Sequence, residues 1–489
     1  MKKIAIAILS LLITCSCESF LDVEKLGVNT IEGFFSTIEG LKSAGVGLHS
    51  ELLEFYDNVY LKMGDVQGDK VYALRSNAGE AILLVYDFES LESHDGGFPY
   101  TAWNKGYNVI TNANEIILYA PKLLEKYPRQ AEVVNTELGY AYFVRGCVLF
   151  NLCNIYSQPY DFTSDASHLG VVPVSQIPSF EDKLARASIG KCYDRVIKDL
   201  ETALEYFGDD TVPSVYYASG LACEAMLARV YLYMKDYESA AKYSSLVMSK
   251  VSLTPRSSYV DMFRQAQNTP GEAIFRLNTY DEGASMRSLC DPTGNQDIRP
   301  DEDFVNTFSD DDIRKKLMTF VGEKEDDPYE GEVFSAVCKY LPYKGIEAAK
   351  ENRRADHFVL RVSEMYLIHA EALCLGKEKD LKAAEDDVKA IRARALGVDP
   401  GSIALSYSNA AELDRIIQEE RAKELCFEGH RFFDLKRRHE DIIRSDKTSS
   451  NCKKLTWPSY RYAMPIAHLE MQANPYMVQT EGYNEAMEQ

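Results

Sequence analysis

The sequence is short of positive charge and of tryptophan, and both shortages limit what the protein can do. Its 489 residues include 54 Lys and Arg against 75 Asp and Glu, which gives a formal net charge of -21 at pH 7. A surface this acidic repels phosphate backbones and anionic headgroups, so nucleic-acid binding and electrostatic docking on a membrane are disfavoured. There are 2 Trp beside 31 Tyr and 21 Phe. Because tyrosine joins a flat apolar face to a hydroxyl, the Tyr excess suits packed helices and sugar-binding surfaces alike.

Catalytic motifs are missing as well. The sequence contains no HExxH and no GxSxG, and its glycine pairs lack the further glycines of a phosphate or dinucleotide loop. Nothing singles out two of the 75 acidic residues as a glycosidase pair. The acidic run at residues 310–312 is interpreted as helix capping rather than a calcium site, because no EF-hand spacing surrounds it. We therefore predict no catalytic residues, no cofactor and no metal site.

The N-terminus has the pattern of a secretory signal. Two lysines precede an apolar run over residues 4–13, which is too short to span a bilayer as a stable helix. A small residue followed by Cys17 then resembles a bacterial lipobox, although Cys15 competes with it. We predict a lipoprotein signal peptide over residues 1–16 and acylation of Cys17, with an ordinary cleaved signal as the alternative. No other segment approaches about 20 apolar residues, so anchoring is expected through acyl chains (palmitate) alone.

The remaining cysteines give little sign of cross-linking. Nine of the 11 lie beyond Cys17, the number is odd, and no CxxC occurs. Most of them sit inside apolar helical patterns, where a thiol behaves as a small hydrophobic side chain. We predict buried free thiols and leave a disulfide open, because the spacing nominates no pair.

Apolar residues recur with the 3.6-residue period of helices through most of the chain. The clearest stretch is residues 189–207, with Ser188 placed to cap its start. At about 150 residues per domain, the length allows two to four domains or one extended repeat architecture. Pairs of helices that each bury one face are stable only when stacked, so we predict an all-α fold: a right-handed, tetratricopeptide-like α-solenoid core with long irregular loop insertions. The other predicted helices cover residues 138–156, 221–234, 237–248, 360–375 and 381–395.

Four long stretches between these helices are rich in Gly, Pro, Asp and Asn. They cover residues 57–100, 158–183, 270–303 and 322–344. Loops longer than about 15 residues inside a compact domain are usually functional or disordered. Their many aromatic residues favour order, and loops on a rigid scaffold are where a ligand site is expected.

One segment, EERAKELCFEGHRFFDLKRR at residues 419–438, interleaves charges with aromatic residues. On a helix, Glu420 and Glu424 would share a face. We predict a partly buried ion-pair network that locks helices together. The alternative is a catalytic role for Glu424, Glu428 and His430, which has less support from the pattern.

Several separate motifs, in order along the chain, carry a family resemblance. They are the start at residues 17–24, residues 33–35 and 44–47, W-x3-Y-x2-I-x2-AN at 103–114, LR-x-SE-x-YL-x2-AEA at 360–372, ER-x2-E-x2-FEG-x-R-x2-D at 420–434, and the closing segment 460–483. With these motifs the chain resembles the RagB/SusD family of outer-membrane nutrient-binding lipoproteins. Ser363 departs from the family's usual alanine, and Arg438-His439 stands where an aromatic residue often follows.

The resemblance implies a binding protein and not an enzyme. It implies one SusD-like domain over residues 17–489, built of about four helix pairs and held at the cell surface on the outer membrane. Such a domain acts as a lid over a SusC-like TonB-dependent transporter, to which its loops deliver a glycan, either an oligosaccharide or a polysaccharide. Peptide or glycopeptide capture, as in RagB-like members, remains an alternative, and so does a helical-repeat scaffold without a small ligand.

A sugar site needs an aromatic platform for C–H faces and amide, carboxylate or Arg partners for hydroxyls. The candidate loops are residues 64–79, 86–103 and 280–299. The shortage of Trp in them favours a shorter, polar ligand, such as a host oligosaccharide, over a long polysaccharide. From these loops we choose as ligand-binding residues Asp69, Tyr72, Arg75, Asn77, Tyr100, Tyr280 and Arg287.

Overall fold

The structure is a computed structural model, and helices dominate it. It describes residues 30–90, 97–179, 181–182, 184–208, 214–264, 271–278, 285–326, 328–343 and 356–483. The predicted signal peptide, Cys17 and Tyr280 lie outside the described residues. The helices of the first half are α1 (Ile31–Phe34), α2 (Ile38–Phe55), α3 (Leu61–Val66), α4 (Glu80–Tyr86), α5 (Phe98–Lys126), α6 (Ala131–Tyr156), α7 (Ile189–Phe207), α8 (Gly220–Met234) and α9 (Tyr237–Met248). Those of the second half are α10 (Arg256–Arg264), α11 (Ser285–Cys290), α12 (Glu302–Val305), α13 (Val362–Leu375), α14 (Leu381–Leu396), α15 (Ala410–Glu424), α16 (Arg431–Arg437) and α17 (His468–Ala473).

The long helices stack in chain order. Helix α2 packs on α5, each helix from α5 to α9 packs on the next, and α9 then packs on α13. Helix α13 continues the stack to α14 and α15. This arrangement confirms the predicted all-α fold with a helical-repeat core.

Helix α6 lies at the centre of this stack, and from Glu137 to Tyr156 all of its residues except Tyr142 are buried. The segment Pro128–Tyr156 is long and apolar enough to cross a membrane by length and composition, with a mean hydropathy of 1.2. That corrects the expectation that no such segment exists beyond the N-terminus. Because 94% of its apolar window is buried inside the protein, the segment is the core helix of the stack.

Local sequence signals set the start of α7, as predicted, and the turn between α8 and α9. The Ser188 hydroxyl accepts a hydrogen bond from the Lys191 amide at 3.4 Å at the start of α7. Helices α8 and α9 are joined by a tight turn in which Lys235 takes φ +60°. Asp236 caps α9 by accepting from the Ser239 amide at 3.1 Å. Short turns of this kind hold the two helices antiparallel.

Three parts of the secondary-structure prediction were wrong. The helix expected from residue 138 begins at Ala131. The helix expected from residue 360 begins at Val362, because His357–Arg361 forms a strand against Ala273–Leu277. The stretch 57–100, read as irregular from its polar composition, contains α3, α4 and the start of α5. After α2 the chain continues through a π-helical turn, Tyr56–Tyr60, directly into α3. The fully buried Val59 and Met63 extend the apolar face of α2, and this packing outweighs the polar residues around them.

Short strands tie the remaining loops together. In the described part of the chain the strands form four antiparallel ribbons of two strands each. The ribbon of β1 with β3 joins two of the predicted loops, residues 57–100 and 270–303. In chain order the strands are β1 (Val71–Ala73), β2 (Ala273–Leu277), β3 (Ile298–Pro300), β4 (Thr319–Val321), β5 (Val333–Ser335), β6 (His357–Arg361), β7 (Ile442–Ile443) and β8 (Lys454–Leu455).

The nine cysteines within the described residues are all free, and eight of them are buried. This confirms the prediction of buried thiols.

The segment at residues 419–438 forms the end of α15, a turn and α16, and its charges meet distant partners. Arg361 lies at the centre, with its guanidinium 2.7 Å from the carboxylates of Glu272, Glu424 and Glu428. Eight residues, four cations and four carboxylates, make up what we call the charge cluster: Glu272, Arg314, Lys339, Arg361, Arg394, Glu420, Glu424 and Glu428.

The charge cluster is buried completely rather than partly. No side chain in it is more than 6% exposed. Burial alone would raise the pKa of Glu424, but Arg394, Arg361 and Arg314 hold that pKa well below its usual value. The predicted ion-pair network is confirmed, and it joins α15 to β6 and α14. Its carboxylates are already bound to cations and shielded from solvent, which is the geometry of a structural cluster.

Candidate functional site

An open cleft of about 460 Å³ lies beside the β1–β3 ribbon, in the region where the sequence placed a ligand site. We call it the ribbon cleft. It is lined by Lys62, Ile82, Arg287, Ser288, Leu289, Asp291, Gly294, Asn295 and Asp297.

One wall of the ribbon cleft is formed by α11 and the turn that follows it. The Asp291 carboxylate accepts hydrogen bonds from the Thr293 amide at 2.9 Å and from its hydroxyl at 2.7 Å. These bonds form an Asx turn, which fixes the backbone without help from a helix or sheet. The Asp297 amide then donates to the Leu289 carbonyl at 2.9 Å and closes the loop back on α11. The polar side chains of the wall therefore stand on an ordered turn.

This wall is also joined by hydrogen bonds to the other loop, so the loop at residues 270–303 is tied to the loop at residues 57–100. The Asn295 side-chain amide donates to the Asn77 carbonyl and to the Asp297 carboxylate, both at 3.2 Å. Asn77 in return donates to the Gln296 carbonyl at 3.0 Å. The Leu74 amide donates to the Asp297 carbonyl at 2.8 Å, which continues the ladder of β1 with β3. Residues far apart in sequence are thus held at one rim.

The charges of the ribbon cleft balance. Two cations, Lys62 and Arg287, face two carboxylates, Asp291 and Asp297. The Arg287 guanidinium lies 3.8 Å from the Asp291 carboxylate, a looser pair than those of the charge cluster. Partial burial lowers the pKa of Lys62 and raises the pKa of Asp297, so both charges are partly removed from water. Such a cleft offers donors and acceptors in roughly equal measure and has no strong net charge.

Beside the cleft, the exposed face of the ribbon presents an aromatic ring under a guanidinium. Tyr72 and Arg299 stand directly opposite each other in the register of β1 with β3. The Arg299 guanidinium lies over the Tyr72 ring at 4.7 Å from its centroid. This cation–π contact holds the ring in place but covers one of its faces. One face of the aromatic platform expected from the sequence is therefore covered.

The structure gathers three of the predicted ligand residues at this place. Arg287 lines the ribbon cleft, Asn77 borders it through its bonds to residues 295 and 296, and Tyr72 lies on the adjoining ribbon. Tyr100 lies in the first turn of α5, half-buried, and is not part of the lining.

Asp69 and Arg75 are used in ion pairs with other parts of the chain. The Asp69 carboxylate accepts two hydrogen bonds from Arg431, at 2.6 and 2.9 Å. Although burial would raise the pKa of Asp69, Arg431 and Lys70 hold it below its usual value. Arg75 donates to the Asp87 carboxylate at 2.5 Å and to the Ser449 carbonyl at 2.5 Å. Neither side chain lines the ribbon cleft.

Sequence reasoning missed five polar residues of the lining: Lys62, Ser288, Asp291, Asn295 and Asp297. A signal for three of them was present in the run DPTGNQD at residues 291–297, whose residue types are those of a tight turn with exposed polar side chains. Lys62 gave no signal, because it lies on a helix that the sequence did not predict.

A helical-repeat scaffold that carries a polar cleft on its inserted loops belongs to the class of ligand-binding solenoids. Residues 231–483 match the family model described as the SusD family, and residues 45–232 match a model described as starch-binding associating with outer membrane. The chain belongs to the SusD family. The resemblance seen in the sequence motifs is confirmed.

Curated relatives and solved structures agree. SusD-like protein P2 of Formosa agariphila is 25% identical to this chain over an aligned length of 486 residues. The match covers 89% of this chain and 91% of that protein. SusD-like protein P38 of the same organism is 24% identical and covers 97% of this chain and 99% of that protein. A SusD superfamily protein of Bacteroides thetaiotaomicron has a TM-score of 0.76 at 24% identity, covering 91% of this chain and 99% of its own. A SusD-like carbohydrate binding protein of Bacteroides vulgatus has a TM-score of 0.70 at 21% identity, covering 90% and 97%. At these identities the two solved structures establish the fold.

Proposed function

We propose that this protein binds an oligosaccharide in the ribbon cleft at the cell surface and delivers it, chemically unchanged, to a SusC-like TonB-dependent transporter. The observation that carries the proposal is the charge-balanced polar lining of the ribbon cleft. A sugar hydroxyl both donates and accepts, so it can satisfy carboxylate, amide and guanidinium groups that lie side by side. The family model that describes starch binding at the outer membrane supports the ligand class and the location.

The ligand proposal is tested by isothermal calorimetry and a glycan array with the full chain. The probes are maltoheptaose, laminarihexaose and a biantennary N-glycan, with a peptide library in parallel. The Asn295 amide nitrogen already bonds to Asn77 and Asp297, whereas its oxygen accepts from no described residue. Asn295→Ala removes that oxygen from the rim, and the loss of one neutral hydrogen bond to the ligand lowers affinity about two- to tenfold. Asn108→Ala, an exposed amide on α5 that donates to Asn104, is the matched control and leaves affinity unchanged.

Each outcome of this experiment decides something. Binding of a glycan that falls in Asn295→Ala and persists in Asn108→Ala supports the ribbon cleft as its site. Binding of peptides with no response to any glycan replaces the proposed ligand class by the RagB-like alternative. Shortened oligosaccharides in the recovered probe would overturn delivery without chemistry.

Anchoring at Cys17 and the partnership with a transporter belong to the same proposal. The lipobox-like pattern at residues 15–17 supports acylation, and family membership supports the partner. Cys17→Ala should move the protein from the outer-membrane fraction to a soluble fraction, whereas Cys15→Ala should not. Affinity purification from outer membranes solubilised in detergent should recover a TonB-dependent barrel with the wild-type protein. A Cys17→Ala protein that still fractionates with the outer membrane would overturn the anchor.

A further inference from the structure

A second cleft, of about 530 Å³, lies where the C-terminal segment crosses the end of α6. We call it the tail cleft. The side chains that matter for its chemistry are Ser157, Gln158, Phe162, His168, Arg186 and Glu481. It shares no lining residue with the ribbon cleft.

Two polar atoms of the tail cleft have no hydrogen-bond partner among the described residues. They are the hydroxyl of Ser157, a residue only 1% exposed, and the side-chain oxygen of Gln158. The Gln158 amide nitrogen donates to the Ser459 carbonyl at 3.1 Å, which fixes the side chain and leaves the oxygen as an acceptor. A buried polar atom without a partner costs about 1–3 kcal/mol, so each of the two calls for an explanation, and a ligand hydroxyl would supply the missing partner.

The floor of the tail cleft is held rigidly from behind. Arg186 donates to the carbonyls of Gly170 at 2.6 Å and Tyr156 at 3.0 Å, and to the Thr480 hydroxyl at 3.2 Å. The Lys436 ammonium group donates to the Ser157 carbonyl from the core side. The backbone that carries the Ser157 side chain is therefore held in place, which lowers the ordering cost of binding.

An aromatic side chain forms the open wall. Phe162 lines the cleft and is 42% exposed, so part of its ring is accessible to a ligand. Its edge-on contacts with His168, at 5.4 Å between ring centroids, and with Trp457, at 6.1 Å, hold the ring in place. An apolar ring next to hydroxyl and amide partners matches a sugar, which has an apolar C–H face and hydroxyls around its edge.

The charges of the tail cleft disfavour an anionic ligand. The Arg186 guanidinium is used in bonds to backbone carbonyls and to Thr480, and burial lowers the pKa of His168, so the ring is neutral at pH 7. The Glu481 carboxylate remains at the rim and repels a second carboxylate or a sulfate.

We propose that the tail cleft is a second saccharide site, which takes a neutral, hydroxyl-rich sugar against Phe162 with hydrogen bonds to Ser157 and Gln158. The inference rests on the proposed glycan-binding function but uses different residues. Two sites on one protein would hold two points of an extended glycan, or two chains of it, and raise the overall affinity by avidity.

The chain contains its own reporter for this site. It has 2 Trp, and Trp457 contacts Phe162, whereas Trp103 lies in the core against Tyr107 and Tyr156. In a Trp103→Phe protein the emission comes from Trp457 alone. Titration with maltoheptaose, laminarihexaose or the biantennary N-glycan should change that emission in a saturable way for the glycan that binds.

Two variants test the contacts. Ser157→Ala removes a hydroxyl that has no partner in the described part of the chain, so it should not lower the unfolding midpoint, while affinity measured by Trp457 emission falls about two- to tenfold. Phe162→Ala should abolish the emission change. The matched controls are Ser43→Ala, an exposed serine on α2, and Phe34→Ala, a phenylalanine that is 37% exposed on α1. Both controls should leave the titration unchanged.

The outcomes separate the second site from the proposed function. Suppose that calorimetry shows binding of a glycan, that the ribbon-cleft variants lose this binding, and that Trp457 emission stays constant throughout. This result overturns the proposal for the tail cleft and leaves the proposed function standing. A wild-type protein that binds no glycan by calorimetry overturns both. Unchanged affinity in Ser157→Ala and Phe162→Ala also overturns the tail cleft, since both proteins would fold and still bind.

Discussion

The charge cluster and the ribbon cleft contain the same residue types in different surroundings. In the cluster, Arg361 lies 2.7 Å from each of three carboxylates, and the side chains of Arg361 and Glu424 are 2% and 0% exposed. In the cleft, Arg287 and Asp291 lie 3.8 Å apart, and Asn295 is exposed. A fully paired charge holds helices together and has nothing left to offer a ligand. The Asp291 side chain is 16% exposed and lines an open cleft, where a ligand can reach it, so packing decides whether a carboxylate serves only the fold.

Breaking the charge cluster should have the largest effect. Glu424→Gln keeps the size of the side chain but leaves Arg361 and Arg394 buried without their shared carboxylate. Removal of one partner from a buried ion pair costs about 3–5 kcal/mol, so the free energy of unfolding in urea should fall by that amount. Asp386→Asn makes the same change in a pair with Lys382 whose side chains are 57% and 68% exposed, and it should leave the unfolding curve unchanged. Equal effects of the two substitutions would refute the structural role of the cluster.

A buried amine outside the cluster should show a pH dependence of intermediate size. Lys436 donates to the Asn154 carbonyl at 2.6 Å and to the Ser157 carbonyl, and no described carboxylate pairs with it. Burial lowers the pKa of Lys436 to about 7. Between pH 7 and the higher pKa of the unfolded chain, the unfolded state binds the extra proton, so raising the pH stabilises the fold.

The comparison with Lys436→Met isolates this effect. The free energy of unfolding of the wild type, minus that of the variant, should rise by about 1.4 kcal/mol per pH unit from pH 7 toward pH 9. Urea unfolding at three pH values measures it, with Lys382→Met, a change at an exposed lysine on α14, as the control. A difference between wild type and Lys436→Met that stays constant with pH would show that Lys436 is charged throughout.

The same carboxylate-to-amide change in the ribbon cleft should affect binding rather than folding. Asp291→Asn keeps an oxygen to accept from Thr293 and disturbs only a loose pair with Arg287. The unfolding curve should therefore stay close to that of the wild type. A hydrogen bond to a charged group contributes about 1.5–3 kcal/mol, so glycan affinity by calorimetry should fall about tenfold or more. Lost stability with unchanged affinity would assign Asp291 to the scaffold, like Glu424.

Helices, their caps and the presence of paired charges could be predicted from local sequence. The partners of those charges could not, because they come from distant parts of the chain. Helix α7 and its Ser188 cap follow from a periodic pattern within 20 or so residues, which is the range over which such patterns are reliable. The charge cluster was visible because three of its four carboxylates fall in one segment, but Glu272 and Arg361 reach it only through the pairing of β2 with β6. Local pattern therefore indicates that a charge needs a partner and does not name the partner.

The candidate site shows the same limit. Loops 57–100 and 270–303 were identified as ligand loops, and Arg287 and Asn77 lie at the ribbon cleft. Asp69 and Arg75 were chosen for the same chemistry, yet each is bound to a partner more than 360 positions away in sequence, Arg431 and Ser449. Which polar loop residues remain for a ligand is settled by such long-range pairs.

Tyr72 combines features of a structural residue and of a ligand-binding residue, and its substitution should give the smallest effect. Its ring is covered on one face by Arg299, as a structural residue would be, but its hydroxyl makes no hydrogen bond to any described residue. Tyr72→Phe keeps the ring under the guanidinium, so the unfolding curve should not change. If the hydroxyl faces the glycan, affinity by calorimetry falls about twofold, the loss expected for one weak neutral hydrogen bond. Tyr407→Phe, a change at a tyrosine that donates to Glu385 on α14, is the control for removal of a hydroxyl far from the cleft. An affinity that is the same in Tyr72→Phe and in the wild type would place Tyr72 with the structural pairs, and the ribbon cleft would then bind through its polar wall alone.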